Sequence, residues 1–178
     1  MNTLFSDTKV AFALKNDRQL RRAYWLFNMI KNPTLVEVGT TLINVALKLN
    51  LPVDGLIRTT VFDHFCGGIS ENDCLQVVDN MYNNGKVSSV LDYSVEGKES
   101  EEQFDAALEM VLKTIVFAKE RNAIPFAVFK PTGLGRFALY QKITEKNTLT
   151  ESEKEEWNRV VARFHSLCKK AHDLNVSV

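Results

Sequence analysis

Apolar side chains recur at helical spacing through the first third of the chain. One stretch begins near Asp17, a residue suited to cap a helix, and runs to about Ile30. Pro33 restarts the chain as a first helical residue, and Leu51-Pro52 ends the second stretch before a turn at Gly67-Gly68. This second helix is predicted to bury five apolar side chains, namely Val36, Leu42, Val45, Ala46 and Leu49.

From Ser70 onward the hydrophobic pattern changes. Ser70 opens a helix that stops at Asn84-Gly85. Three apolar runs, rich in β-branched residues and of strand length, follow at 87–93, 124–129 and 175–178. Continuous apolar strands that alternate with helices pair in parallel, with the helices covering the sheet. This part of the chain is therefore predicted to be α/β.

Two amphipathic helices are predicted between these runs. Ser100 with Gln103 and Thr150 with Glu153 have the spacing of capping boxes that begin them. The predicted inner stripe of the first helix consists of Phe104, Ala107, Leu108, Val111, Leu112 and Ile115. The predicted inner stripe of the second consists of Trp157, Val160, Val161, Phe164, Cys168 and Ala171.

Together these elements predict an α/β fold. A helical N-terminal arm covers residues 1–68, and the first strands and helices of an incomplete (βα)8 barrel cover residues 69–178. Two full strands and a fragment are too few for a stable parallel sheet, and the last run begins where the sequence stops. We therefore expect the sequence to be a truncated part of such a barrel.

Composition and charge narrow the range of partners. The 178 residues include 22 Lys and Arg against 22 Asp and Glu, so no strong basic field is available to bind nucleic acid. Three cysteines without regular spacing argue against a disulfide framework and favour a reducing compartment. The sequence shows no signal-peptide pattern and no apolar run of membrane-spanning length. A cytoplasmic location is predicted, and peripheral contact with the inner membrane stays open.

Polar residues that follow the predicted strands are the candidates for chemistry. Asp92 and Glu96 lie at and after the end of the first strand, and Lys130 and Thr132 follow the second. The working residues of parallel β/α barrels lie at these strand ends. Carboxylates can hold an ammonium group while a lysine holds a carboxylate, so this set suits an amino acid substrate. Polar residues without any function are, however, ordinary in the loops that follow strands.

Two other kinds of site have less support. The segment 133–138 matches the G-x-G-x-x-A pattern of dinucleotide-binding proteins, but the acids about 20 residues further on, Glu155 and Glu156, fall in a helix. His165 and His172 are separated by two helical turns, on the order of 10 Å, which is too far for one metal ion. No metal site is predicted.

Three motifs carry a resemblance to a known family. They are FDHFCGG at 62–68, LDYSVEG at 91–97 and FKPTGLG at 129–135. These residues resemble the N-terminal half of proline dehydrogenases, and the resemblance runs from near the N-terminus to the last residue. It implies a distorted (βα)8 barrel that holds FAD, oxidises L-proline to 1-pyrroline-5-carboxylate and passes the electrons to a membrane quinone.

The resemblance also implies roles for individual residues. Lys130 matches a lysine close to the flavin and the substrate carboxylate, so catalytic and cofactor-binding roles are both expected. Asp92 and Glu96 match an acid pair, and Glu96 resembles the acid that pairs with an arginine when the site closes over proline. Tyr93 and Thr132 are expected to line the site, with Thr132 among the cofactor-binding residues. Most of the family's flavin-binding residues belong to the half that this sequence lacks, so we expect the chain alone to be inactive.

Two interpretations without proline chemistry stay open. A non-catalytic α/β interaction module could complete its sheet with a partner chain along the edge at 175–178. A nucleotide-binding domain could instead use Gly133 and Gly135.

Overall fold

A computed structural model describes residues 6–92 and 98–178 of the chain. The chain divides into two compact units, with the boundary between Lys86 and Val87. This boundary lies one helix beyond the predicted limit between residues 68 and 69. The predicted domains, 1–68 and 69–178, stay a prediction.

Helices form the described part of the first unit. In chain order they are α1 (Thr8–Ala11), α2 (Asp17–Ile30), α3 (Pro33–Lys48), α4 (Asp54–Ile57), a π-helical segment (Arg58–Phe62), α5 (Asp63–Phe65) and α6 (Glu71–Gly85). Asn16, rather than Asp17, caps α2, because its side chain accepts a hydrogen bond from the Gln19 N–H at 2.9 Å. The helix start predicted at Ser70 is confirmed, and Ser70 and Asp73 form a capping box there.

Helix α3 is much more exposed than its sequence pattern predicted. All of α3 lies within the described range, and each of its residues is exposed or only partly buried. Of the five side chains predicted to be in the core, Ala46 alone is partly buried. The prediction is wrong for the other four because helical periodicity identifies an apolar face but not what covers it.

The second unit is built around two long helices. Its helical elements are α7 (Glu101–Ala118), a 3-10 turn (Pro131–Gly133), α8 (Phe137–Thr144) and α9 (Glu151–Leu174). Helices α7 and α9 pack against each other. The core between them contains Val111, Ile115, Ala127, Leu134, Leu167 and Ala171. The stripe predicted for α7 is confirmed at four of its buried positions, Phe104, Ala107, Val111 and Ile115.

The stripe predicted for α9 is confirmed at two buried positions, Val160 and Ala171, but the buried face is rotated from the predicted one. Its buried residues are Glu156, Val160, Arg163, Leu167 and Ala171. Cys168, which was predicted to be in the stripe, is exposed. The buried stripe contains two charged residues, and a pattern that follows only apolar side chains therefore misplaces it around the helix.

The α/β prediction is wrong, because the described residues form a helical fold without a strand or sheet. The three runs predicted as strands do lie side by side in parallel, but they meet at isolated bridges, Leu91 with Ala127 and Phe126 with Ser177. Parallel sheets need cover on both faces, whereas Phe126 is 51% exposed. Single bridges between short, half-covered runs do not extend into a ladder. An incomplete (βα)8 barrel is therefore not the fold of the described residues.

Candidate functional site

The structure brings two of the predicted site residues together. Lys130 Nζ lies 3.6 Å from Asp92 Oδ2, and the two side chains are 37% and 39% exposed. The bridge between Leu91 and Ala127 holds the two segments side by side just before these residues. The pair is therefore a consequence of contact between segments that are far apart in sequence.

The structure says less about the other predicted site residues. Thr132 is half-buried and lies in the 3-10 turn that follows Lys130. Glu96 and Tyr93 lie outside the described residues. The functional roles predicted for Asp92, Glu96, Lys130 and Thr132 stay predictions.

The turn after Lys130 is held by several hydrogen bonds. The Lys130 carbonyl oxygen accepts from the Gly133 N–H at 2.9 Å, and the Pro131 carbonyl oxygen accepts from the Leu134 N–H at 2.9 Å. The Tyr140 hydroxyl on α8 also donates to the Pro131 carbonyl oxygen, at 2.7 Å. Burial raises the pKa of Tyr140 to about 12, so this hydroxyl keeps its proton at neutral pH.

A buried arginine supports the same turn from α9. Arg163 is 5% exposed, and its Nη1 donates to the Leu134 carbonyl oxygen at 3.2 Å. Its Nε donates to Asp105 Oδ1 at 2.8 Å, and its Nη2 donates to Glu101. Burial acts to lower the pKa of Arg163, but the bonds to Glu101 and Asp105 outweigh it and the pKa is raised. The guanidinium group therefore stays charged, and each of its three nitrogen atoms donates a hydrogen bond.

A glycine lets the segment after the turn approach α9 closely. A Cβ atom on Gly135 would lie 2.6 Å from Val160 Cγ2, closer than real side chains allow. Gly135 and Val160 are both buried. This close approach sets the distance between the turn and α9. It therefore also helps to position the backbone of Lys130.

Two further ion pairs join α8 and its flanking residues to α9. Arg136 makes a bidentate pair with Glu156, with Nε–Oε1 and Nη2–Oε2 distances of 2.8 and 2.5 Å. This hydrogen bonding to Glu156 raises the pKa of Arg136. Lys142 Nζ lies 2.5 Å from Glu153 Oε1, and that bond lowers the pKa of Glu153 to about 2. These pairs join parts of the scaffold, whereas the Lys130–Asp92 pair lies at the start of the turn.

A ligand that carries both a positive and a negative charge can replace the Lys130–Asp92 contact at a small cost in free energy. An ion pair as exposed as Lys130–Asp92 contributes only about 0–1 kcal/mol, so a ligand that satisfies both charges can replace the contact. Among residues 6–92 and 98–178 there is no group of three or more side chains that could hold a metal ion. Within the same ranges no helix is long and apolar enough to cross a membrane.

Sequence reasoning missed the residues that support the turn. Arg163 falls between Val160 and Leu167 on the buried stripe of α9, where a charged residue requires a partner. Glu101 and Asp105, spaced by one turn on α7, are such partners. The network could have been identified from one signal in the sequence. An arginine stands where the helical pattern predicts a buried apolar side chain, and two acids one turn apart lie on the neighbouring helix.

About half of the chain is similar to two known proteins. It is 39% identical over 92 residues to the carbapenem antibiotics biosynthesis protein CarD of Pectobacterium carotovorum subsp. carotovorum. It is 35% identical over 95 residues to the mitochondrial proline dehydrogenase 1 of Caenorhabditis elegans. Each match covers 52% of this chain, but only 24% of CarD and 15% of the proline dehydrogenase. No family model matches the chain, and no solved structure matches it.

These matches bear out only in part the resemblance that the three motifs carry. They indicate a proline dehydrogenase-like relationship over about half of the chain. The chain spans less than a quarter of the length of both proteins, at 24% and 15%. What a whole protein of this kind does is therefore a matter for proposal.

Proposed function

We propose that this chain is part of an FAD-dependent proline dehydrogenase, an oxidoreductase that converts L-proline to 1-pyrroline-5-carboxylate and passes the electrons to a quinone. The similarity to the proline dehydrogenase of Caenorhabditis elegans is the observation that carries the proposal. The adjacent charges of Lys130 and Asp92 support it, because they suit the two charges of an amino acid.

Substrate binding is assigned to the ion pair. The Lys130 ammonium group binds the proline carboxylate, and the Asp92 carboxylate holds the ring ammonium group, so a zwitterion enters between them. Both charges then keep a partner, and the cost of separating an exposed pair is small. Glu96 is proposed as the second acid of the site. The fixed turn over residues 131–133 limits the movement of Lys130 and so reduces the entropy that ordering it on the substrate would cost.

The donor groups at the turn also fit a flavin. When bound, FAD supplies the hydride acceptor for the oxidation. Lys130 offers a positive charge, 3.6 Å from Asp92, and Thr132 offers a hydroxyl on a partly buried residue. A cation and a hydroxyl donor suit the electron-rich edge of a flavin ring, where negative charge increases on reduction. Lys130 and Thr132 are therefore the proposed cofactor-binding residues.

A titration of the ¹⁵N-labelled chain with L-proline, followed by NMR, tests this proposal. The amide signals of residues 91, 92, 130 and 132 are expected to shift and saturate. Lys130→Met is expected to weaken binding about tenfold or more, which corresponds to the loss of a charge-assisted contact. Lys119→Met is the matched control, because Lys119 is also a partly exposed lysine beside an acid, Glu120 at 3.5 Å. It should leave the affinity unchanged.

Two further ligands make the titration specific. Proline methyl ester lacks the carboxylate and should produce no saturating shift. FAD should bind the chain only weakly, because most of the family's flavin-binding residues are expected outside it. Its fluorescence should therefore fall only at high chain concentration, and less with Lys130→Met. Equal responses to L-proline and its methyl ester would contradict the proposed role of Lys130. Absence of any response to L-proline and FAD would favour the non-catalytic interaction module.

A second candidate function comes from the other relative. The identity to CarD, a carbapenem antibiotics biosynthesis protein, is higher at 39%. The same site could therefore serve the biosynthesis of an antibiotic rather than proline breakdown. Disrupting the gene and measuring both growth on proline and carbapenem production would separate the two, because each role predicts the loss of one phenotype.

A further inference from the structure

Tyr140 on α8 links helix α9 to the turn that follows Lys130. Its ring packs edge-on against the ring of Trp157 on α9, with the ring centroids 5.8 Å apart and the ring planes at 88°. Its hydroxyl donates to the Pro131 carbonyl oxygen at 2.7 Å. An edge-to-face aromatic pair has a preferred geometry, so the contact with Trp157 orients the Tyr140 ring. The position of the hydroxyl is therefore set by a contact outside the turn.

The Pro131 carbonyl oxygen accepts two hydrogen bonds, which is the full capacity of a carbonyl group. The Leu134 N–H is one donor, at 2.9 Å, and the Tyr140 hydroxyl is the other. The bond from Leu134 closes the turn on itself, whereas the bond from Tyr140 joins the turn to α8. Loss of the hydroxyl should therefore leave the turn closed but let its first residues move.

The backbone of Lys130 is coupled directly to this carbonyl group's residue. A residue that precedes proline is restricted to extended backbone conformations. Lys130 has a φ of −104° and a ψ of 127°, which lie within that restricted range. The Cα–Cβ bond of Lys130 therefore has little freedom relative to the Pro131 ring, and a movement of Pro131 carries the Lys130 side chain with it.

The other polar support of the turn acts further from Lys130. Arg163 donates to the carbonyl oxygen of Leu134, which lies four residues after Lys130. Tyr140 instead holds the residue next to Lys130. Of these two supports, Tyr140 therefore has the more direct effect on where the Lys130 ammonium group lies.

We propose that Tyr140 is a positioning residue for Lys130 and, through it, for the carboxylate group of the substrate. By holding the Pro131 carbonyl oxygen, Tyr140 keeps the Lys130 side chain beside Asp92, so less conformational entropy is lost when an amino acid zwitterion binds. Tyr140 acts through Lys130 and does not itself contact the substrate. This inference rests on the proposed function, because it is there that Lys130 is assigned to the substrate carboxylate.

A titration of ¹⁵N-labelled Tyr140→Phe with L-proline tests the positioning role. The substitution removes the hydroxyl and keeps the ring that packs on Trp157. L-proline should bind about threefold to tenfold more weakly, which corresponds to the net effect of one hydrogen bond, while circular dichroism shows a fully folded chain. Thr144→Val is the matched control, because the Thr144 hydroxyl also donates to a carbonyl oxygen, at 2.9 Å, but lies at the last residue of α8. It should leave the affinity for L-proline unchanged.

A double variant separates positioning from a general effect on stability. In the Lys130→Met background, Tyr140→Phe should cause no further loss of affinity, because the hydroxyl acts only through the lysine. A hydroxyl that served stability alone would leave the affinity of the folded chain unchanged in both backgrounds, and that result would overturn the proposal. An equal loss in both backgrounds would overturn it as well.

Backbone ¹⁵N relaxation without ligand tests the support separately from the proposed function. The order parameters of Lys130 and Thr132 should be about 0.85 in the unsubstituted chain and in Thr144→Val, as for a rigid backbone, and should fall towards about 0.6 in Tyr140→Phe. If these values fall but L-proline does not bind the unsubstituted chain, the proposed function fails while the positioning of Lys130 by Tyr140 stands. Unchanged values in Tyr140→Phe would overturn the positioning role whether or not L-proline binds.

Discussion

Arg163 on α9 donates a hydrogen bond to the carbonyl oxygen of Leu134, at 3.2 Å. Leu134 directly follows the Pro131–Gly133 turn, which in turn follows Lys130. The same guanidinium group binds Asp105 and Glu101 on α7. One side chain therefore connects both long helices of the second unit to the turn of the candidate site.

Loss of this arginine should destabilise the second unit strongly. Arg163→Met is expected to lower the free energy of unfolding by about 1–3 kcal/mol, because the Leu134 carbonyl oxygen loses its buried donor and the more exposed Glu101 and Asp105 lose a charged partner. Urea denaturation followed by circular dichroism measures the change. Arg159→Met is the control: Arg159 binds the same Glu101 at 2.9 Å but is 49% exposed, so a loss below about 1 kcal/mol is expected. Equal losses would contradict the importance assigned to the burial of Arg163.

A methyl group at position 135 should force the turn away from α9. Gly135→Ala places its Cβ atom 2.6 Å from Val160 Cγ2, and both residues are buried, so a loss of about 1–3 kcal/mol is expected. Combining it with Val160→Ala removes the clashing methyl group. The double variant should therefore lose less than the sum of the two single losses, as thermal or urea denaturation would show.

Gly39→Ala, the matched control for Gly135→Ala, should increase the stability of the chain instead of lowering it. A Cβ atom on Gly39 would meet nothing within 4 Å, and Gly39 lies inside α3. Gly39→Ala should therefore stabilise the chain by about 0.5–1 kcal/mol, because alanine loses less backbone entropy in a helix than glycine does. A stabilising effect of Gly135→Ala would show that the turn is not packed on α9 as described.

The Lys142–Glu153 pair should make stability depend on acidic pH. The hydrogen bond from Lys142 lowers the pKa of Glu153 from 4.5 to about 2 in the folded chain. A lowered pKa in the folded state means that the contribution is fully present above pH 4.5 and is lost as the pH falls towards 2. Glu153→Gln should flatten the fall in melting temperature over this range. Glu155→Gln, an exposed position of the same helix, should leave it unchanged.

Tyr140 should lose its proton only at strongly alkaline pH. Burial raises its pKa from 10.0 to about 12, and its hydroxyl donates to the Pro131 carbonyl oxygen. The stabilising contribution is present below pH 10 and is lost as the pH rises towards 12. In an ultraviolet titration of the four tyrosines, Tyr140→Phe should remove the late component. It should also cost about 1 kcal/mol of stability at neutral pH through the lost hydrogen bond. A late component that persists in Tyr140→Phe would assign the raised pKa to another tyrosine.

The sequence predicted the charged residues of the candidate site but not the residues that hold its turn in place. Asp92 and Lys130 follow apolar runs, which made them candidates before their 3.6 Å contact was known. Arg163 and Tyr140 lie on helices later in the chain than the turn they hold, so no local pattern links them to it. The network becomes visible only when α7, α8, α9 and the turn are placed together.

The sequence alone determined the features that depend on neighbours within one helical turn. The helix starts at Ser70 and Thr150 are formed as expected, because each cap needs only the backbone and side chain three residues on. The tertiary structure decided what depends on distant partners. It left the run at 124–129 with isolated bridges instead of a strand ladder, buried Arg163 rather than Cys168, and left the apolar side chains of α3 largely exposed. Ladders, buried charges and uncovered faces all depend on contacts between remote segments, and hydrophobic periodicity carries no information about those contacts.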